Sequence, residues 1–234
     1  MFMRTSCDTP AQTPFLNFTL KDPAADLRQA RATLAQHGYL RIDSCLDDAL
    51  AECTYSELLK DPRYVQTEDS KAGEYGVLEC TEDQPSPGVE ECSNFLRGPS
   101  LLEWLGRLVG KKLKITRQPS PFRMKQGDCI VAHDDCTDYP SNRLSAVLHF
   151  SKAWRRQFGG NLIVGHVKRI ETSPPSANGS RRWVFSSNRS VVVPVFNSLV
   201  LIALKPGLAH KVTRVRGDNP RLTIVATYGL ETAS

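Results

Sequence analysis

Eight short apolar or alternating runs follow Lys111: Leu113–Thr116, Cys129–Ala132, Arg143–Phe150, Asn161–Val167, Val191–Phe196, Ser198–Leu204, Lys211–Val215 and Arg221–Tyr228. Turn residues separate them. Runs this short, at this spacing, predict strands that hydrogen-bond to one another, which makes an antiparallel sandwich or barrel. The first 110 residues read differently. Asp22–His37 repeats Leu27, Ala30 and Leu34 at helical spacing, with Pro23 near its start and Gly38 after its end. Tyr39–Ile42 alternates like a strand, Asp47–Leu59 reads as a second helix, and a third runs from Pro99 to Gly110. Helices clustered ahead of a β-rich half predict an α+β fold. The expected organisation is a single domain over 1–234, with 1–110 mainly helical support and 111–234 the barrel core.

The remaining segments are polar. Residues 1 to about 20 read as an extended arm. Residues 66–94 are acidic and turn-rich, and are expected to form a long irregular surface segment or lid. Glu171–Ser190 is rich in Ser, Pro, Arg and Asn and reads as an exposed insertion between strands. A chain of 234 residues buries enough surface to fold without disulfides or a structural metal. Its seven cysteines are odd in number and lack C-x-x-C spacing, which argues against a zinc ribbon or disulfide scaffold and for a reducing, cytoplasmic setting. No signal peptide or apolar run of membrane-spanning length is evident. The net charge of +5 is scattered in pairs such as Arg155-Arg156 and Arg181-Arg182, without interleaved aromatics, so nucleic-acid binding is not supported.

The chemistry-bearing residues cluster in the β-rich half. His133 and Asp135 are separated by one residue, and in an extended segment such positions face the same way, whereas Asp134 points away. His210 follows 77 residues later, so the three meet only in the folded barrel. Two histidines and one carboxylate can hold one face of an iron(II) ion and leave the other open. H-x-D alone is weak, and Cys136 either approaches such a metal or is a plain loop thiol. Further matches surround the trio: Gln126-Gly127-Asp128, Phe158 to Leu162, Pro194 to Val200, and Arg221-Leu222-Thr223.

With these residues in place, about Ser120 to Gly229 resembles the iron(II)- and 2-oxoglutarate-dependent oxygenases of the prolyl-hydroxylase type. The pattern is similar to ribosomal prolyl hydroxylases: His133-Asp134-Asp135, Arg143 to Trp154, Gly159-Gly160-Asn161-Leu162, Pro194 to Val200, His210-Lys211-Val212 and Arg221-Leu222-Thr223-Ile224. The resemblance implies a double-stranded β-helix, a jelly-roll barrel. It implies Fe(II), 2-oxoglutarate and O2 as cofactor and co-substrates, with His133, Asp135 and His210 as metal ligands. Arg221 would pair with the distal carboxylate of 2-oxoglutarate, and Thr223 could add a hydroxyl donor. A carboxylate at 135, where halogenases of the superfamily have a small residue, favours hydroxylation with release of succinate and CO2.

Two positions depart from the family pattern. His149 stands where many relatives have a tyrosine that contacts 2-oxoglutarate, and is read either as a donor to that ligand or the metal-proximal water, or as a structural residue. Met124 replaces a second tyrosine. Five residues follow Gly229, and no second barrel domain of the ribosomal enzymes is present, so their substrate is not carried over. The expected substrate is a free amino acid or small natural-product intermediate. A peptidyl proline is the alternative, and a non-catalytic cupin-like binding module the reading from a different class.

Overall fold

The computed structural model describes residues 23–67, 73–78, 85–172 and 181–231. The arm expected before residue 21 lies outside them. Helix α1 (Pro23–His37) closes at Gly38, whose positive φ of 75° lets the chain turn sharply into strand β1 (Tyr39–Asp43). Helix α2 (Asp48–Lys60) is capped by Asp47, whose Oδ1 accepts the Ala49 and Leu50 amides at 2.9 and 3.3 Å. Strands β2 (Tyr64–Thr67) and β3 (Gly73–Leu78) follow, then helices α3 (Pro87–Arg97) and α4 (Pro99–Val109), each with proline in its first turn. Strands β4 (Leu113–Met124), β5 (Cys129–His133), β6 (Asn142–His149), β7 (Leu162–Thr172), β8 (Arg181–Val192), β9 (Ser198–Ala203), β10 (Leu208–Val212) and β11 (Arg221–Leu230) complete the described chain. None of its helices is long and apolar enough to cross a membrane.

Every strand pairing is antiparallel, in the order β1-β9-β6-β11-β4-β3-β5-β10-β7-β8, with β2 on β3. β3 is the joint between the two sheets: its Gly76 and Val77 pair with β4, and its Gly73 and Glu74 with β5. Side chains alternate across the larger sheet. On β6 and β11, Leu144, Ala146, Leu148, Leu222, Ile224, Ala226 and Tyr228 face Leu58, Leu96, Leu101 and Leu105 of the helices. Each leucine or isoleucine among them contributes about 1.5–3 kcal/mol. The Tyr228 hydroxyl donates to the Leu96 carbonyl at 2.7 Å and fixes that helix layer. The opposite set, Arg221, Thr223, Val225 and Thr227 with Ser145 and Val147, faces a cavity between the sheets.

This is the expected α+β fold. Two expectations are corrected. Residues 66–94 are not irregular throughout, since β3 and most of α3 fall inside them. β3 forms because it bridges two distant strands, which local composition does not report. The 171–190 segment is likewise not a plain insertion: β7 runs to Thr172 and β8 begins at Arg181. This ribbon extends past the barrel, so its strands carry the polar residues of a solvated hairpin. The runs read as Val191–Phe196 and Lys211–Val215 end at Val192 and Val212. Asn197, at a φ of 54°, makes the turn into β9. Its buried amide is fully engaged, accepting from the Leu46 amide at 2.9 Å and donating to the Leu46 carbonyl and Asp48 at 2.9 and 3.0 Å.

Candidate metal centre and anion pocket

β5 and β10 are neighbours, and their register sets His133 directly opposite His210. The two rings lie 4.3 Å apart between centroids. Asp135, just beyond the end of β5, reaches between them: His133 Nε2 is 3.6 Å from Oδ1 and His210 Nε2 is 3.6 Å from Oδ2. One donor atom from each residue lies within 4.8 Å of the others, and among the described residues no further side chain joins them. The spacing suits one ion with ligand bonds near 2.1 Å. His133 donates from Nδ1 to the Val131 carbonyl at 2.9 Å, leaving the Nε2 lone pair toward Asp135. Burial, with His133 alongside and Asp135 opposing, pulls the His210 pKa down to about 4, so its ring is neutral at pH 7 and free to coordinate.

The turn that carries Asp135 is pinned from both sides. The Asp135 carbonyl accepts the Asn142 side-chain amide at 3.0 Å. Asp134 points the other way, as its position predicts, and accepts from the Thr137 amide at 2.7 Å, the Thr137 hydroxyl at 3.0 Å and the Trp183 indole at 3.1 Å. Burial opposes its charge, but these donors outweigh it and hold its carboxyl below the usual range. Cys136 is buried and its thiol pushed upward, first by burial and then by Asp134, and it stays out of the trio.

A second cluster lies on β11 and β6. Arg221 is 4 % exposed, not the surface charge that an isolated strand arginine would be. Its Nη1 touches Met124 Sδ at 3.6 Å, its Nε has no partner, and no acidic side chain among the described residues pairs with it. Burial lowers its pKa to about 10, which leaves it charged at neutral pH. Thr223 faces His149 across the strands, and the Thr223 hydroxyl and both His149 ring nitrogens are buried without partners. Burial first, then Arg221 and Arg41, pushes the His149 pKa well below its ordinary value, so this ring is neutral. Each orphaned polar group costs about 1–3 kcal/mol and an unpaired buried cation more. Three adjacent residues with such groups form a preformed receptor for an anion. Gly160 makes the space: at its φ of 59°, a Cβ would sit 2.8 Å from Trp154 Cζ2 and 3.1 Å from Arg221 Cδ.

Both clusters meet one cavity of about 1190 Å³, whose walls include the metal trio, Arg221 and Thr223. His149 is buried behind this wall. Trp183 and Tyr139 also line it, and composition alone had set Trp183 in an exposed insertion. The apolar run Trp183-Val184-Phe185 within a polar segment was the available signal for Trp183.

This fold with this donor set defines the double-stranded β-helix with a candidate mononuclear metal site. Residues 120–228 match the 2OG-Fe(II) oxygenase superfamily. Solved structures share the architecture. A Pseudomonas putida prolyl-4-hydroxylase superposes with a TM-score of 0.64 at 14 % identity, covering 88 % of this chain and 99 % of its own. A Trichoplax adhaerens prolyl hydroxylase, solved with a hypoxia-inducible-factor peptide fragment, gives 0.66 at 14 %, covering 91 % and 93 %. HygX from Streptomyces hygroscopicus, holding nickel, 2-oxoglutarate and hygromycin B, gives 0.59 at 14 %, covering 88 % of each. At such identities the likeness is one of fold. No curated protein sequence matches the chain. Over that barrel segment the chain is similar to the 2OG-Fe(II) oxygenase superfamily, which fits the metal trio and the buried arginine beside it.

Proposed function

We propose that the chain, acting as a single domain, hydroxylates an unactivated C–H bond of a free amino acid or small natural-product intermediate. In this reading His133, Asp135 and His210 hold the iron, and Arg221 with Thr223 receives the distal carboxylate of 2-oxoglutarate. The observation that carries it is the coincidence, in one cavity, of a two-histidine, one-carboxylate donor set with a buried arginine that lacks an anion. When bound, the iron with 2-oxoglutarate and O2 supplies the oxidant, with succinate and CO2 as coproducts.

The chain's own residues then have definite tasks. His210 presents a neutral ring nitrogen, and His133 turns Nε2 toward Asp135 with its Nδ1 held by the Val131 carbonyl. Arg221 offers a planar fork that matches a carboxylate, a charge-assisted contact of about 1.5–3 kcal/mol per bond. Thr223 adds a hydroxyl donor, and His149, opposite it, holds a neutral N–H for the bound anion to engage. Val147, Leu162, Ile202 and Val225 line the interior and keep water from the anion. The structure of HygX with hygromycin B supports a small-molecule substrate, because this fold holds one in that enzyme. Free cysteines at 45, 53, 92, 129 and 136 suit a cytoplasmic enzyme.

The test is succinate formation with Fe(II) and 2-oxoglutarate, screened against free amino acids, small natural products and proline-containing peptides. Turnover stimulated by one of the first two groups is expected. Stimulation by peptides alone reassigns the substrate to protein. Failure of the anaerobic Fe(II)–2-oxoglutarate absorption band to weaken in His133→Ala and His210→Ala would refute the metal site.

A further inference from the structure

The segment that presents Asp135 is not regular structure. After His133 the chain leaves β5 and makes an irregular turn until β6 begins at Asn142. His133 and Asp135 are each about one-third exposed, at 28 % and 31 %, so packing alone does not hold them. Loose ligands pay their ordering entropy when a metal binds, which lowers affinity. The side chain between them faces away from the metal trio and toward β8. Asp134 Oδ1 accepts the Thr137 amide, which closes the turn on itself, while Oδ2 accepts both the Thr137 hydroxyl and the Trp183 indole. Trp183 stands in β8, opposite Ile170 of β7, and its ring is part of the wall of the cavity that holds the trio.

We infer that Asp134 and Trp183 form a strut: the Asp134–Trp183 hydrogen bond clamps the metal-ligand turn to the β7–β8 ribbon, so that the same bond positions Asp135 for the metal and sets the indole as a wall of the substrate cavity. Both are positioning residues, and the inference rests on the metal-binding reading above. Geometry distinguishes the two roles of Asp134. An asparagine there keeps an oxygen for the Thr137 amide, and the Thr137 hydroxyl can rotate to accept from the new NH2. The indole N–H only donates, so it would face another donor and the strut alone would break.

The experiment uses the full chain with Mn(II) as the metal probe, its affinity read by magnetic resonance of the free ion, and ¹⁵N-labelled tryptophan to observe the indole N–H groups. Trp183→Phe identifies the Trp183 signal. In Asp134→Asn that signal should shift and exchange with solvent about tenfold faster or more, while the Trp104 and Trp154 signals stay in place and report an intact fold. Mn(II) affinity should fall by roughly tenfold in Asp134→Asn and in Trp183→Phe, the lower end for residues supporting metal ligands. The double variant should be no weaker than the worse single one, as expected when both remove one bond. Zn(II) added to the unmodified chain should shift the Trp183 signal. An unmoved Trp183 signal in Asp134→Asn, or unchanged Mn(II) affinity in both single variants, overturns the strut. His133→Ala separates the two readings: if it too retains Mn(II) affinity, the metal site itself fails, whereas its loss with unchanged strut variants removes only the strut.

Discussion

Arg221 gives the sharpest test, because stability and function should respond in opposite directions. It is 4 % exposed and charged, its Nη1 meets Met124 Sδ, and among the described residues its Nε has no partner. Replacing a buried cation that lacks a counter-charge with an apolar side chain of similar length removes a desolvation penalty of several kcal/mol. Arg221→Met should therefore leave the ligand-free protein as stable as the original or more so, by about 1–3 kcal/mol. The same change deletes both prongs of the carboxylate contact, about 3–6 kcal/mol, or more than a hundredfold in affinity. The assay is thermal unfolding with Mn(II), with and without 2-oxoglutarate at about 100 times its Kd for the original chain. The original should gain about 2.7 kcal/mol, roughly 5–10 °C for a chain of this size, and Arg221→Met should gain nothing. Arg221→Lys keeps the charge but loses the fork, so its 2-oxoglutarate KM should rise about 10–150-fold with Mn(II) affinity unchanged. A ligand-free Arg221→Met protein destabilised by several kcal/mol, with its 2-oxoglutarate response intact, would show that Arg221 is a structural residue and refute the pocket argument.

Other expectations follow from the same geometry. Gly160→Ala places a Cβ 2.8 Å from Trp154 and 3.1 Å from Arg221 at a φ of 59°, so it should cost about 1–2 kcal/mol by denaturant unfolding and weaken 2-oxoglutarate binding as the arginine stem is displaced. Asn197→Ala removes four side-chain hydrogen bonds that tie the turn into β9 to Cys45, Leu46 and Asp48, and should cost roughly 2–4 kcal/mol in a urea titration without changing Mn(II) affinity. Asp61 is held below its ordinary pKa chiefly by the Arg63 side chain, against the cost of burial. A depressed carboxyl stabilises the fold above its unfolded value near 4 and loses that contribution as pH falls through the folded value. The urea midpoint of Asp61→Asn should thus lag the original most at neutral pH and converge with it in acid; a constant gap would refute the ion pair.

Much of the site was legible in the chain because strands have a period of two. Arg221 and Thr223 share a face for that reason; the same spacing pointed to His133 and Asp135, although β5 ends at His133 and an irregular turn brings Asp135 to it. The same alternation sent Leu222, Ile224, Ala226 and Tyr228 to the helices. Gly159-Gly160 and Asn197 were visible as motifs, but their purposes were not: one makes room for the arginine stem, the other ties the turn before β9 to α2. β3 was missed because its glycines and glutamate do not have a strand's composition, and it exists through pairing with β4 and β5. The β7–β8 ribbon was missed because solvated strands carry the composition of loops.

The sequence by itself determined the α+β architecture, the strand count of the barrel half, and which residues could serve as metal ligands and carboxylate anchor. Local periodicity and residue chemistry suffice for those. Only the tertiary structure decided that His133 lies opposite His210, that Arg221 is buried without an anion, and that Asp134 reaches Trp183 across 49 residues. Each of these depends on strand register and burial, which arise from contacts between segments far apart in the chain.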